Sequence, residues 1–136
     1  MGTDGAVVCD ASVLAAIAFG DPDSVEARAL TRSRRLYAPS LLRYEMANVA
    51  VRRCAAAGSS APLVEEAFVS SLRVPVRLVE PFWPAVVELA RANGLTAYDA
   101  AYLQVALALR LRLATLDRRL AQLADGLGVM AAPRAD

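Results

Sequence analysis

The chain has 136 residues, 57% hydrophobic and 21% charged, with a formal net charge of +1. That describes one globular domain long enough to bury a core, and it excludes both a disordered segment and a protein that grips nucleic acid by bulk charge. Histidine and lysine are absent, which excludes imidazole-based triads and metal sites, Walker A loops and Schiff-base chemistry.

Ala6-Val7-Val8-Cys9 is predicted as a strand ending at Asp10, followed by an apolar helix from Ala11 to Phe19. Gly20-Asp21-Pro22-Asp23 is a turn, with Asp21 predicted to cap a helix that has Pro22 at its first position. The basic cluster Arg32, Arg34, Arg35 leads into a short strand, Leu36-Tyr37-Ala38. A long helix is expected from Pro39 or Ser40 to Ala57, stopped by Gly58, and another through Ser71. The β-branched stretch Val74–Val79 is a strand. Pro81 starts a helix ended by the Asn93-Gly94 pair, and Thr96 opens one that reaches Leu109. Leu113–Leu116 is a strand ending at Asp117, a helix covers Arg118–Ala124, and Val129–Ala131 is a last short strand. Strands alternating with helices predict a parallel sheet covered on both faces. Residues 1–132 form one domain, and 133–136 are a frayed tail.

No uncharged stretch approaches the ~20 residues of a membrane span. Asp4 stands ahead of the first apolar run where a secretory signal has a basic start. The expectation is a soluble, cytoplasmic protein, with Cys9 and Cys54 as buried reduced thiols in no metal or redox spacing.

Four acids stand out. Asp10 and Asp117 each join a strand to a helix, a position that suits an N-cap and equally the carboxyl edge of a sheet, where α/β folds bind ligands. Glu45 lies three or four residues from Leu41, Leu42 and Val49, inside the apolar stripe of its helix. An unpaired carboxylate there is costly, so it needs an arginine partner, a place at the stripe's edge or a cation. Asp99 fits a capping box with Thr96 but shares a face with Leu103 and Ala106, and so points inward. Four converging carboxylates repel one another unless a cation joins them. Oxygen-only ligands favour magnesium or manganese over zinc, and such a centre suits phosphodiester cleavage by metal-activated water.

Asp10-Ala11-Ser12 after the first strand, Glu45 in the long helix, Thr96-Ala97-Tyr98-Asp99-Ala100-Ala101-Tyr102 opening a late helix, and Ala114-Thr115-Leu116-Asp117 resemble the PIN-domain nucleases. The length adds a likeness to VapC-type toxins of bacterial toxin–antitoxin pairs. The resemblance spans essentially the whole chain. It implies a three-layer α/β/α fold with about five parallel strands in the order 3-2-1-4-5. It implies an Mg²⁺- or Mn²⁺-dependent endoribonuclease, a homodimer, and inhibition by a small antitoxin. Asp10, Glu45, Asp99 and Asp117 carry over as metal-binding and catalytic, with Ser12 and Thr115 in support. For RNA contact the sequence offers Arg52, on the face of Glu45, and Arg118 and Arg119, at a helix start whose amides favour phosphate. Arg43 points away, and the Arg32, Arg34, Arg35 cluster is the next candidate.

Other enzymes with acidic pockets fit less well. Haloacid-dehalogenase-type phosphatases need a second acid where Ser12 stands, and both they and receiver domains need a lysine. Two further readings keep the fold: a dimeric scaffold without turnover, and a PIN nuclease of general RNA processing without an antitoxin.

Overall fold

The computed structural model describes residues 5–135. Strands β1 (Ala6–Cys9), β2 (Arg35–Pro39), β3 (Val76–Val79) and β4 (Arg112–Ala114) form one sheet in the order β3-β2-β1-β4. All pairings are parallel, with Val8 opposite Tyr37 on one side and Leu113 on the other. Between them run α1 (Ala11–Ala18), α2 (Ser24–Thr31), α3 (Leu42–Ala57), α4 (Ala61–Ser71), α5 (Trp83–Asn93) and α6 (Ala97–Leu109), and α7 (Arg118–Gly126) follows β4. The chain steps from β1 to β2 to β3 in one direction and then back to β4 beyond β1; with the right-handed crossovers that parallel strands follow, α5 and α6 lie across the sheet from α1–α4. The direction reverses between β1 and β4, so a crevice opens at their carboxyl ends.

β1 is buried at every residue, as a central parallel strand requires. α6 is buried continuously from Ala100 to Ala106, and its alanines let it lie close on the sheet while Tyr102, Leu103 and Val105 fill the core. Pro84 sits in the first turn of α5, and Gly94 ends that helix in the left-handed region at φ 62°.

Four expectations need correction. The fifth strand is reduced to one parallel bridge, Leu113 to Met130, because Pro133 soon removes a donor from the returning chain. β4 stops at Ala114, not Leu116: the next amides are taken by hydroxyls, Leu116 N–H by Ser12 Oγ at 3.0 Å and Asp117 N–H by Thr115 Oγ1 at 3.0 Å. Asp21 does not cap α2, which begins at Ser24. Its carboxylate receives two bonds of 2.7 Å from Arg53, and a charged bidentate pair outweighs a single capping bond. α3 starts at Leu42 because Pro39 still pairs with Val79 in the sheet, and Ser40 spends its N–H on Val79 and its hydroxyl on Glu80.

Residues 133–135 have no regular structure, yet Arg134 N–H bonds to Ala29 O at 2.7 Å, and its side chain reaches the carbonyls of Arg32 and Ser33. Residue 136 lies outside the described residues. Neither cysteine is in a disulfide; Cys9 is buried and Cys54 half-buried. Among the described residues no helix is long and apolar enough to cross a membrane.

Candidate active site

Asp10 follows β1 directly and caps α1, with Val13 N–H donating to Oδ1 at 3.2 Å. Two hydroxyls hold the rest of the carboxylate: Ser12 Oγ donates to Oδ1 and Thr115 Oγ1 to Oδ2, each at 2.5 Å. The same hydroxyls accept the amides of Leu116 and Asp117. A short polar belt thus ties the start of α1 to the chain leaving β4. Capping of α1 and anchoring of two hydroxyls therefore coexist in one side chain. At 6% exposure, burial pushes its pKa up to about 6, against the lowering effect of these hydrogen bonds, and the charge of Glu45 adds to the rise.

Glu45 lies in the first turn of α3 and is half-buried. It makes no ion pair with an arginine among the described residues. Instead Oε1 accepts the hydroxyl of Tyr102, on α6, at 2.5 Å. Burial raises its pKa, the Tyr102 bond lowers it, and the charge of Asp99 raises it further. The Tyr102 hydroxyl is in turn held well above the ordinary phenol range by burial and by Glu45, so it stays a donor. Tyr102 lies one turn after Asp99, on the same face, and that spacing was the signal in the sequence for its place at the site.

Asp99 completes only half of a capping box. Its N–H donates to Thr96 Oγ1 at 3.2 Å, while its carboxylate makes no hydrogen bond among the described residues. Burial and the charge of Asp117 raise its pKa, and Arg119 lowers it. Asp117 is exposed and caps α7, Oδ1 accepting from Leu120 N–H at 3.0 Å. The electrostatic coupling therefore runs in a chain, Asp10 to Glu45 to Asp99 to Asp117, along the carboxyl edge of the sheet. Among the described residues no three acidic, cysteine or histidine side chains are already gathered around a single point.

A cleft of about 730 Å³ opens beside these acids. Ala11, Ser12 and Ala15 of α1 form one side, Leu116 and Asp117 another, and Glu45, Asn48, Val49, Arg52 and Arg53 of α3 a third. Of the arginines read from the sequence, Arg52 lines this cleft. Arg118 is exposed and makes no hydrogen bond or ion pair among the described residues. Arg119 is committed elsewhere: Nη2 donates to Gly94 O at 2.6 Å, at the end of α5. Arg43 is not in the cleft and has its Nη1 buried with no hydrogen-bond partner among the described residues. In the fallback cluster, Arg34 is buried and donates to Leu30 O and Ala132 O, and Arg32 donates to Arg134 O, so both hold the tail in place. Asn48 and Arg53 were not singled out from the sequence, and Asp21 only as a helix cap; Asn48 could have been, since it lies three residues after Glu45 on one helix face.

A parallel three-layer α/β fold with a row of acids along the carboxyl edge of its sheet defines the class. Residues 7–126 match the PIN domain family, and the chain belongs to it. It is similar to Ribonuclease VapC3 of Pyrobaculum aerophilum, 31% identical over 121 residues that cover 85% of this chain and 92% of the relative. The crystal structure of PAE2754 from Pyrobaculum aerophilum shares the fold, with a TM-score of 0.69 over 92% of this chain and 90% of that one at 24% identity.

Proposed function

We propose that this protein is a metal-dependent endoribonuclease of the VapC kind, cutting RNA phosphodiester bonds, and the toxin of a toxin–antitoxin pair. The observation that carries the reading is the run of mutually repelling carboxylates, Asp10, Glu45, Asp99 and Asp117, in a PIN-family chain similar to a named ribonuclease. The donor set fits a hard divalent cation, Mg²⁺ or Mn²⁺: every donor is oxygen, and Asp10, Glu45 and Asp99 each have a pKa raised in part by a neighbouring acid. These four residues would hold it. When bound, such an ion supplies Lewis-acid charge at the phosphate and lowers the pKa of water.

The protein's own part is orientation. Ser12 and Thr115 fix both oxygens of Asp10. Tyr102 takes one oxygen of Glu45, and the other makes no hydrogen bond among the described residues. The amides at the start of α7 favour phosphate, and Arg52 and Arg118 offer charge to the RNA backbone. The reading includes a homodimer, for which the exposed Phe82, Trp83 and Val87 at α5 provide apolar surface. It also includes a small antitoxin protein and a cytoplasmic location.

Purified protein and an Asp10→Asn variant, each incubated with RNA and Mg²⁺ or with chelator, test the reading. Cleavage is expected only from the wild type with metal. Equal cleavage by Asp10→Asn would overturn it.

A further inference from the structure

The cleft continues past the carboxylates along α3, and apart from Arg52 its far half has no part in the site described above. Along α3 the residues facing it are Glu45, Asn48, Val49, Arg52 and Arg53, a single helical face. Glu45 and Arg52 are seven residues apart, about 10 Å along the axis. That exceeds the ~3.4 Å rise of one stacked nucleotide, so a strand with its cut phosphate at the acids and another phosphate at Arg52 passes at least one base over the residues between. The polar side chain there is Asn48. It is exposed and makes no hydrogen bond among the described residues. Ala11 and Ala15, which line the same cleft from α1, carry small side chains.

The far end is closed by a rigid pair. Arg53 makes two bonds of 2.7 Å to Asp21 and lies 4.7 Å over the ring of Phe19. Its charge is already paired, so it is a wall and not a phosphate clamp. Arg52 beside it makes no ion pair and no hydrogen bond among the described residues.

We infer that Asn48 reads the nucleobase next to the scissile phosphate, in a subsite bounded by the acids on one side and the Arg53–Asp21 pair on the other. The inference rests on the nuclease reading of the same cleft and names what that site selects. An amide offers one acceptor and one donor side by side, which matches a base edge carrying an amino group next to a ring nitrogen. Adenine and cytosine have that edge, and single-stranded RNA leaves it open. Of the charged side chains lining the cleft, Asp21, Asp23, Glu45 and Asp117 are acids against Arg52 and Arg53, and Arg53 is paired with Asp21; this excess of acceptors disfavours the carbonyl-rich edge of uracil.

Two measurements test it. The first sequences the ends produced from a random RNA pool by the wild type, Asn48→Ala and Asn48→Asp. The wild type is expected to prefer adenine or cytosine at one position beside the cut, and Asn48→Ala to lower that preference about tenfold, the range of one bidentate base contact. Cleavage whose base preference is the same in Asn48→Ala would overturn the subsite and leave the nuclease reading standing. The second measures binding to the Asp10→Asn protein of two short RNAs that differ by one adenine-to-uracil change, with and without Asn48→Ala. A preference for the adenine RNA that needs Asn48, from a protein whose wild type cuts nothing, would support the subsite and sink the nuclease reading. Equal binding of the two RNAs would overturn the subsite.

Discussion

Asp10 is the carboxylic acid whose ionisation the fold opposes most among the described residues. Its pKa is raised in the folded state from 3.8 to about 6, chiefly by burial, so the native protein holds that proton more tightly than the unfolded one. The stability from this residue is fully present below about pH 4 and is lost as pH rises through 6. A shift of that size corresponds to a contribution on the order of 3 kcal/mol. In chelator, the wild type is expected to lose stability relative to Asp10→Asn between pH 4 and 7, measured as the difference in denaturant midpoint. Asparagine keeps an oxygen for the Val13 amide and removes the charge. A difference that stays flat over that range would mean that Asp10 is not buried as a strained carboxylate.

The short segment between β4 and α7 depends on side chains for its shape. Thr115 is 2% exposed, and its hydroxyl serves twice, donating to Asp10 and accepting from Asp117 N–H. Thr115→Val keeps the volume and removes both bonds, leaving a partly buried amide and a buried carboxylate oxygen underserved. Each such loss costs about 1–3 kcal/mol. The variant is expected to unfold at lower denaturant and to need more Mg²⁺ for half-maximal cleavage, since Asp10 and Asp117 lose their common anchor. A change in stability alone, with the metal requirement untouched, would reduce Thr115 to a structural role.

Taken as a whole, the molecule carries almost no net charge, so any hold on RNA must be local. On the proposed reading Arg52 in the cleft and Arg118 beside Asp117 supply it, whereas Arg119 is bound to the end of α5 and Arg34 to the carbonyl of Ala132. Alanine at Arg52 or Arg118 is expected to reduce the slope of log affinity against log salt by about one unit each, for an uncleavable RNA with metal present. Arg43→Ala is expected to leave that slope as it is. Unchanged slopes for Arg52→Ala and Arg118→Ala together would move the RNA path off this cleft.

The alternation of strand and helix, the burial of β1 and the inward-facing Glu45 were all legible in the amino-acid order, because period and polarity are local properties of the chain. So were the helix stops at Gly58 and Gly94, where the backbone turns to φ 56° and 62°. Proximity was not legible. Tyr102 follows Glu45 by 57 positions and Thr115 follows Asp10 by 105, and no local pattern says that these hydroxyls meet these carboxylates. The ends of elements were misread for the same reason. Asp21 looks like a cap until α3 brings Arg53 to it, and β4 looks longer until Ser12 and Thr115 take its next amides. Folding chooses among partners that the sequence leaves equally available, and the choice falls to whichever charged or buried group packing brings within hydrogen-bond range.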